Sequence, residues 1–407
     1  MTLSKAVLLF LLLCSWVRGG EAPVQWQAPR PEEDKPAEGY RVLRGVKTHL
    51  IYHATPESGM FSHHAQIAYY GDHFYVSWSN HPTGEDGPGQ RLLCSISADG
   101  TSWRKSFECF PRFDKPQDPA VFGRVLTAIA WVPLRGALYA VAEVDDRIGN
   151  DNWGNISTDP RNSTPQHSYL GRYGWGRVAR SVGPDGQVGP IFWLVDNPPE
   201  PMQGFEAYPG ARDPRFQDAA AQIVRELDNP LHMPAWDFRT KTAWTVGADG
   251  HQLCEPSVYR RSDGTLVKLS RDRTGSQRMY VALSSNGGRT WTAAEQTNIP
   301  DSPSKATSGV LPDGRVYLVG NQVAKKDGSR DPLLVSISSE GKTFRDVAVI
   351  RYGAPQVRQN GAAKSVGFQY PSAVVARNSL WVVYSVGKED VEISEVPTYE
   401  LGGKGTQ

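Results

Sequence analysis

The residues best suited to chemistry lie in the second half of the chain. Residues 254–273 (CEPSVYRRSDGTLVKLSRDR) hold two alternating apolar runs around Ser262-Asp263-Gly264, the pattern of two β-strands and a tight turn. A carboxylate, Glu255, stands near the start and a guanidinium, Arg271, near the end. Antiparallel strands joined by a short turn bring their far ends together, so both charges are expected at one edge of one sheet. Such a pair can hold a proton acceptor beside an anion anchor. The plain alternative is a strand with ordinary flanking charges. Arg330 and Tyr370 follow, each where a later hairpin begins or ends.

Glu255, Arg271, Arg330 and Tyr370, in this order and at these spacings, resemble the catalytic half of the exo-sialidases. The resemblance spans about residues 60–390 and is specific mainly in the C-terminal half. It implies that Tyr370 is a nucleophile, that Glu255 polarises it, and that Arg271 and Arg330 grip a substrate carboxylate. The roles are physically coherent. A phenol of pKa about 10 is a poor nucleophile without a nearby base, and a neutral phenol avoids the repulsion an anionic sugar would exert on a carboxylate.

The N-terminal half departs from that pattern. Where the family has an arginine opening the first strand, this chain has His63-His64. Histidine is mostly neutral at pH 7 and cannot clamp a carboxylate bidentately. Glu85 and Asp86 fall about where the family's acid/base aspartate stands, although TGEDGPG also reads as a solvated polar turn. His63, His64 and His81 lie on two adjacent strand ends, where a neutral imidazole could move a proton. The segment SHHAQ…WSNH is similar to the first blade of ulvan-type lyases and of rhamnosidases that cleave rhamnose from glucuronate. That second resemblance implies a catalytic histidine. Tyr169, Arg172 and Trp175 form an aromatic and basic cluster suited to a glycan subsite, or to packing in a Gly-rich loop.

The elements that must position these residues repeat. Alternating runs around a Gly/Asp/Asn turn recur with turns near residues 72, 136, 185, 263, 313 and 377. Six such hairpins predict an all-β fold, a six-bladed β-propeller of the sialidase-like kind, with a seventh blade within residues 186–250 left open. Residues 216–228 place Ala220, Ile223, Val224 and Leu227 at helical spacing, which predicts an inserted helix. SSNGGRTW at 284–291 resembles the Asp-box of sialidases, and shorter relatives stand at 97–103 and 338–344. Their expected role is structural.

Residues 1–22 combine Lys5, an apolar run over residues 6–16 and small residues at Gly20 and Ala22, the pattern of a signal peptide. A secreted or periplasmic protein is expected, with a lead-in over residues 23–58, the propeller over 59–398 and a flexible tail over 399–407. A net charge of +1 argues neither for nor against an anionic partner, but the lack of a basic run interleaved with aromatics argues against nucleic acid. No later apolar run is long enough for a membrane. Cys94 and Cys109 could pair or remain thiols, and Cys254 is left over. No metal-ligand spacing and no cofactor motif is present. The expected activity is exo-hydrolysis of a terminal acidic, sialic acid-like sugar from a glycan, by a monomer. A lyase or rhamnosidase on uronate-containing polysaccharide is the alternative, and a non-catalytic glycan-binding propeller a third.

Overall fold

A computed structural model describes residues 23–402, apart from residues 33, 87–88, 113–120, 149–171, 197–206, 236–244 and 326. The signal-peptide expectation, Tyr169 and the flexible tail beyond residue 402 lie outside the described residues.

The described residues form one two-stranded parallel pairing and five sheets of four or five strands, antiparallel except where Arg41–Val42 joins the fourth in parallel. Their first strands are Phe61–Tyr70, Val121–Leu134, Gln252–Arg260, Thr307–Val310 and Phe368–Ala376. First strands of neighbouring sheets touch one another from the third blade through the fourth, fifth and first to the second, so they line a common centre and the sheets radiate from it as blades. Second strands such as Ser379–Val386 are buried at every position. A strand with sheets packed on both faces reads as continuous apolar sequence rather than as alternation.

The count is five blades among the described residues rather than six. The turns near residues 136 and 185 both belong to the second blade, which runs Val121–Leu134, Ala137–Ile148, Arg172–Ser181 and Phe192–Trp193. One blade contains two hairpin turns, and sequence spacing cannot tell a blade's second turn from the first turn of the next. The interval that could have held another blade contains the helix Gln217–Leu227, which buries Ala220, Ile223 and Leu227. This helix packs on the second blade's first strand.

The lead-in takes part in the ring. Lys47–Tyr52 is the outer strand of the last blade, paired with Asp390–Pro397 near the other end of the chain. Arg41–Val42 adds to the fourth blade, and Gln25–Trp26 pairs with Thr343–Phe344. The N-terminal residues thus tie two late blades together.

The Asp-box-like turns are structural. Asp99 accepts hydrogen bonds from the backbone N–H of Thr101 and Ser102 at 2.8 and 2.7 Å. Asn286 accepts one from Thr290 at 3.0 Å. Gly100 combines a φ of 82° with a close face against Trp381, where a Cβ would stand 2.5 Å from the ring, so only glycine fits. Cys94, Cys109 and Cys254 are buried free thiols.

Candidate active site

Two of the first strands carry proline at mid-strand, where a central strand should not, at Pro256 and Pro371. Both fall in β-bulges, where the ladder is already interrupted and a missing N–H costs little: the register shifts between Cys254 and Ser257 and between Gln369 and Ser372. The first blade has a matching bulge between His63 and Gln66. In each bulge one side-chain-bearing residue adopts left-handed backbone, namely His64 at φ 58°, Glu255 at φ 51° and Tyr370 at φ 53°. Three blades therefore use the same distortion to turn a polar side chain toward one place. Strained backbone of this kind persists only where the surroundings hold it, and it concentrates at functional sites.

At that place Tyr370 Oη donates to Glu255 Oε1 at 2.5 Å. Arg271 Nη1 donates both to Tyr370 Oη at 2.9 Å and to Glu255 Oε2 at 2.8 Å. Hairpin geometry brings Arg271 beside Glu255, as expected. Arg330 is anchored by backbone bonds to the lead of Tyr370's strand, its N–H on Val366 O and its carbonyl accepting from Phe368 N–H. Gly367 makes this approach possible: at φ 140°, a Cβ there would lie 2.5 Å from Arg330 O. Arg330 then sets its guanidinium 5.2 Å from the Tyr370 ring centre while donating to Gln369 Oε1 and Pro303 O at 2.8 and 2.9 Å.

The histidines close the other side. The His63 ring lies 4.1 Å from that of Tyr370 and 4.6 Å from that of His64. His63 Nδ1 pairs with Ser385 Oγ at 2.7 Å, while its Nε2 has no hydrogen-bond partner among the described residues. His64 Nε2 faces Glu85 Oε1 at 3.2 Å, and Glu85 Oε2 accepts from Lys388 Nζ at 2.7 Å. His81 serves the loop instead, its Nδ1 accepting N–H groups of Thr83 and Gly84 at 3.2 Å each. Asp86 is buried in left-handed backbone at φ 55°, its N–H on Gln90 Oε1. Arg172 and Trp175 lie on the strand Arg172–Ser181, where Arg172 sits opposite Arg147.

Burial and charge set the protonation states. Burial pushes the Tyr370 phenol well above its ordinary value, and the Glu255 carboxylate adds to this against the pull of Arg271 and Arg330, so Tyr370 is neutral. Burial would also raise Glu255, but Arg271 and the hydrogen bonds from Tyr370 and Arg271 outweigh it and hold the carboxyl below its usual range. Glu85 is likewise held well below that range, because Lys388 and His64 overcome its burial. Burial lowers His63 strongly, with Lys388 and His64 adding to the effect; it lowers His64 as well, against Glu85. The pair that replaces an arginine is thus uncharged near neutral pH.

Sequence reasoning missed Lys388 and Asp301. Lys388 enters from the turn after the last blade's second strand, and its Nζ lies 5.7 Å from the Tyr370 ring centre. The only sequence signal is a lysine at a Gly-Lys hairpin tip. Asp301 is 1 % exposed, and burial raises its carboxyl well above the usual value despite Arg271 and Arg330 nearby. His63, His64 and Glu85 bring donor atoms within 4.8 Å of one another, a spacing a metal ion could use. The Lys388 ammonium already engages Glu85, however, so the cluster is built around an ammonium and does not fit a divalent ion as it stands.

Comparison with known proteins agrees with this architecture. A family described as an N-terminal beta propeller matches residues 37–242, and the BNR repeat-like domain matches residues 223–383. The chain belongs to the sialidase-like superfamily of β-propellers. Among solved structures, this sialidase-like propeller is similar to one titled simply a sialidase, with a TM-score of 0.70 and 21 % identity over 92 % of this chain and 35 % of the other. The Hadza microbial sialidase matches with a TM-score of 0.56 and 12 % identity over 87 % and 69 % of the two chains. Trypanosoma rangeli sialidase matches at 0.52 and 12 % over 88 % and 60 %. The chain spans about a third of the first of these. At such identities the likeness concerns the fold. No curated protein matches the chain in sequence.

Proposed function

We propose that this sialidase-like propeller is an exported glycoside hydrolase that releases a terminal acidic sugar, one carrying a carboxylate at its anomeric carbon, from a glycan. The observation that carries the reading is the hydrogen-bonded set Tyr370, Glu255 and Arg271, with Oη 2.5 Å from one carboxylate oxygen and 2.9 Å from the guanidinium. As Tyr370 Oη forms a bond to the anomeric carbon, its proton passes to Glu255 and the glycosidic C–O bond breaks. Arg271 stabilises the charge developing on Oη, and the substrate carboxylate pairs with Arg271 and Arg330. Water then attacks the anomeric carbon, and Tyr370 leaves with its proton returned from Glu255.

A second reading rests on His63. A neutral imidazole with a free Nε2 beside a phenol is an arrangement for proton abstraction, as a lyase or rhamnosidase on uronate-bearing polysaccharide would need. Product chemistry separates the two. Purified protein is incubated with α-sialosides and with uronate-containing polysaccharides, and the released products are identified by mass and absorbance. Free acidic keto-sugar is the expected result. An unsaturated uronate or free rhamnose would overturn the hydrolase reading in favour of His63. Glycan binding without any product would indicate a binding propeller.

A further inference from the structure

The hydrolysis proposed above, on which this inference rests, needs a proton on the departing glycosidic oxygen. The hydrogen-bonded set Tyr370, Glu255 and Arg271 has none to give, and Asp301, which keeps its proton, is 1 % exposed. Glu255 is a carboxylate that must take the phenol's proton, and the two arginines do not release theirs. Glu85 is the carboxyl nearest the histidine face, but it is itself held as a carboxylate by Lys388 at 2.7 Å and His64 at 3.2 Å.

The placing of Lys388 is unusual. Gly387 and Lys388 have φ of 62° and 55°, and Glu389 N–H closes the turn on Val386 O. Asparagine or glycine suits such positions; a lysine is strained there. The Lys388 carbonyl accepts from Ser62 N–H at 2.8 Å, which fixes the turn beside His63 on the neighbouring blade. The side chain is nevertheless buried, at 3 % exposure against 7 % for Glu85. The groups facing it are Glu85, His63 and His64 from the first blade, Tyr370 from the last, and Arg330 and Arg271 from the fourth and third. Neighbouring Glu389 is engaged by Arg358 and Lys364 instead.

We propose that Lys388 and Glu85 together form the general acid: Lys388 stores the proton and Glu85 delivers it to the departing oxygen. The proton moves from Nζ to Glu85 Oε2 along their hydrogen bond, leaving a neutral amine and a carboxylic acid. Glu85 then protonates the glycosidic oxygen as the C–O bond breaks and the Tyr370–carbon bond forms. In the second half Glu85 takes a proton from the attacking water and returns it to Lys388. The ion pair is the resting form, so the proton crosses to Glu85 only as the departing oxygen gains negative charge and draws it. Lys388 acts only through Glu85, which is the group that touches the substrate.

Dependence on the leaving group tests this. Wild type, Lys388→Met, Lys388→Arg and Glu85→Gln are assayed on two acidic glycosides, one releasing 4-nitrophenol, which departs without a proton, and one releasing a sugar alcohol, which needs it. All three variants are expected to lose about 10²-fold or more in kcat/KM, which reports only the steps through departure of the leaving group, on the second substrate and less than about tenfold on the first. Equal losses on both would overturn the proposal and make the pair structural. A rise in KM repaired by Lys388→Arg would overturn it in favour of a clamp for the substrate carboxylate. Should Lys388→Met not fold, the charge-preserving Lys388→Arg, together with the isosteric but neutral Glu85→Gln, carries the same comparison. Wild type that turns over neither glycoside overturns the hydrolase reading and this inference with it. Wild type active on both, with Lys388 variants unaffected, overturns the inference alone.

Discussion

Removing the Tyr370 hydroxyl separates the two chemistries. In Tyr370→Phe, Glu255 Oε1 loses the donor at 2.5 Å, but Oε2 keeps Arg271 at 2.8 Å. The carboxylate is therefore deprived of one partner and not stranded as an unpaired buried charge. One hydrogen bond to a charged group is worth about 1.5–3 kcal/mol. A loss of that size lowers the melting temperature by roughly 2–4 °C per kcal/mol in a domain of some two hundred residues, and by less in a longer chain. The ring itself remains, so its packing on His63 at 4.1 Å survives and the variant should fold. Its chemistry should not survive. Loss of the nucleophile is expected to lower kcat by at least about 10³-fold, which at about 1.36 kcal/mol per decade is about 4 kcal/mol of transition-state stabilisation. The assay is kcat on one working acidic glycoside, with melting temperature measured on the same preparation, for Tyr370→Phe, His63→Ala and His64→Ala. A tyrosine mechanism predicts the largest loss for Tyr370→Phe. If both histidine variants lose more than the tyrosine variant, and all remain folded, Tyr370 is not the nucleophile however well Glu255 and Arg271 are placed.

Two further outcomes follow from the charges at the site. Burial, partly offset by Glu85, lowers Lys388 to about 8, so its proton is present below that pH and absent above it; kcat on the sugar-alcohol glycoside should fall as pH rises through about 8, and Lys388→Met should abolish that limb in a pH–rate series. Glu85 and Glu255 are held below the ordinary carboxylate value, so the stability they contribute is complete above the unfolded value of about 4.3 and is lost as pH falls toward their folded values. Urea midpoints measured between pH 6 and pH 3 should drop more steeply for wild type than for Glu85→Gln, and parallel curves would show that the Glu85 pairing adds nothing to stability.

The sequence alone determined what local chain geometry controls. Alternation and turn residues specified the hairpins, the helix Gln217–Leu227 was legible from its apolar spacing, and the Ser/Asp/Gly turns were recognisable as structural devices. Glu255 and Arg271 meet because one tight turn folds their strands together. The meeting of Tyr370 with Glu255, 115 residues away, could be anticipated only through likeness to a family, because nothing local enforces it. Tertiary structure decided the number of blades, since strand pairing rather than turn spacing places the turns near 136 and 185 in one sheet. It also decided that N-terminal strands complete two late blades. Most of all it decided the charges. Lys388 and Glu85 are polar turn residues in sequence, and only closure of the ring buries them together, 303 positions apart, where desolvation and mutual attraction determine which of them holds a proton.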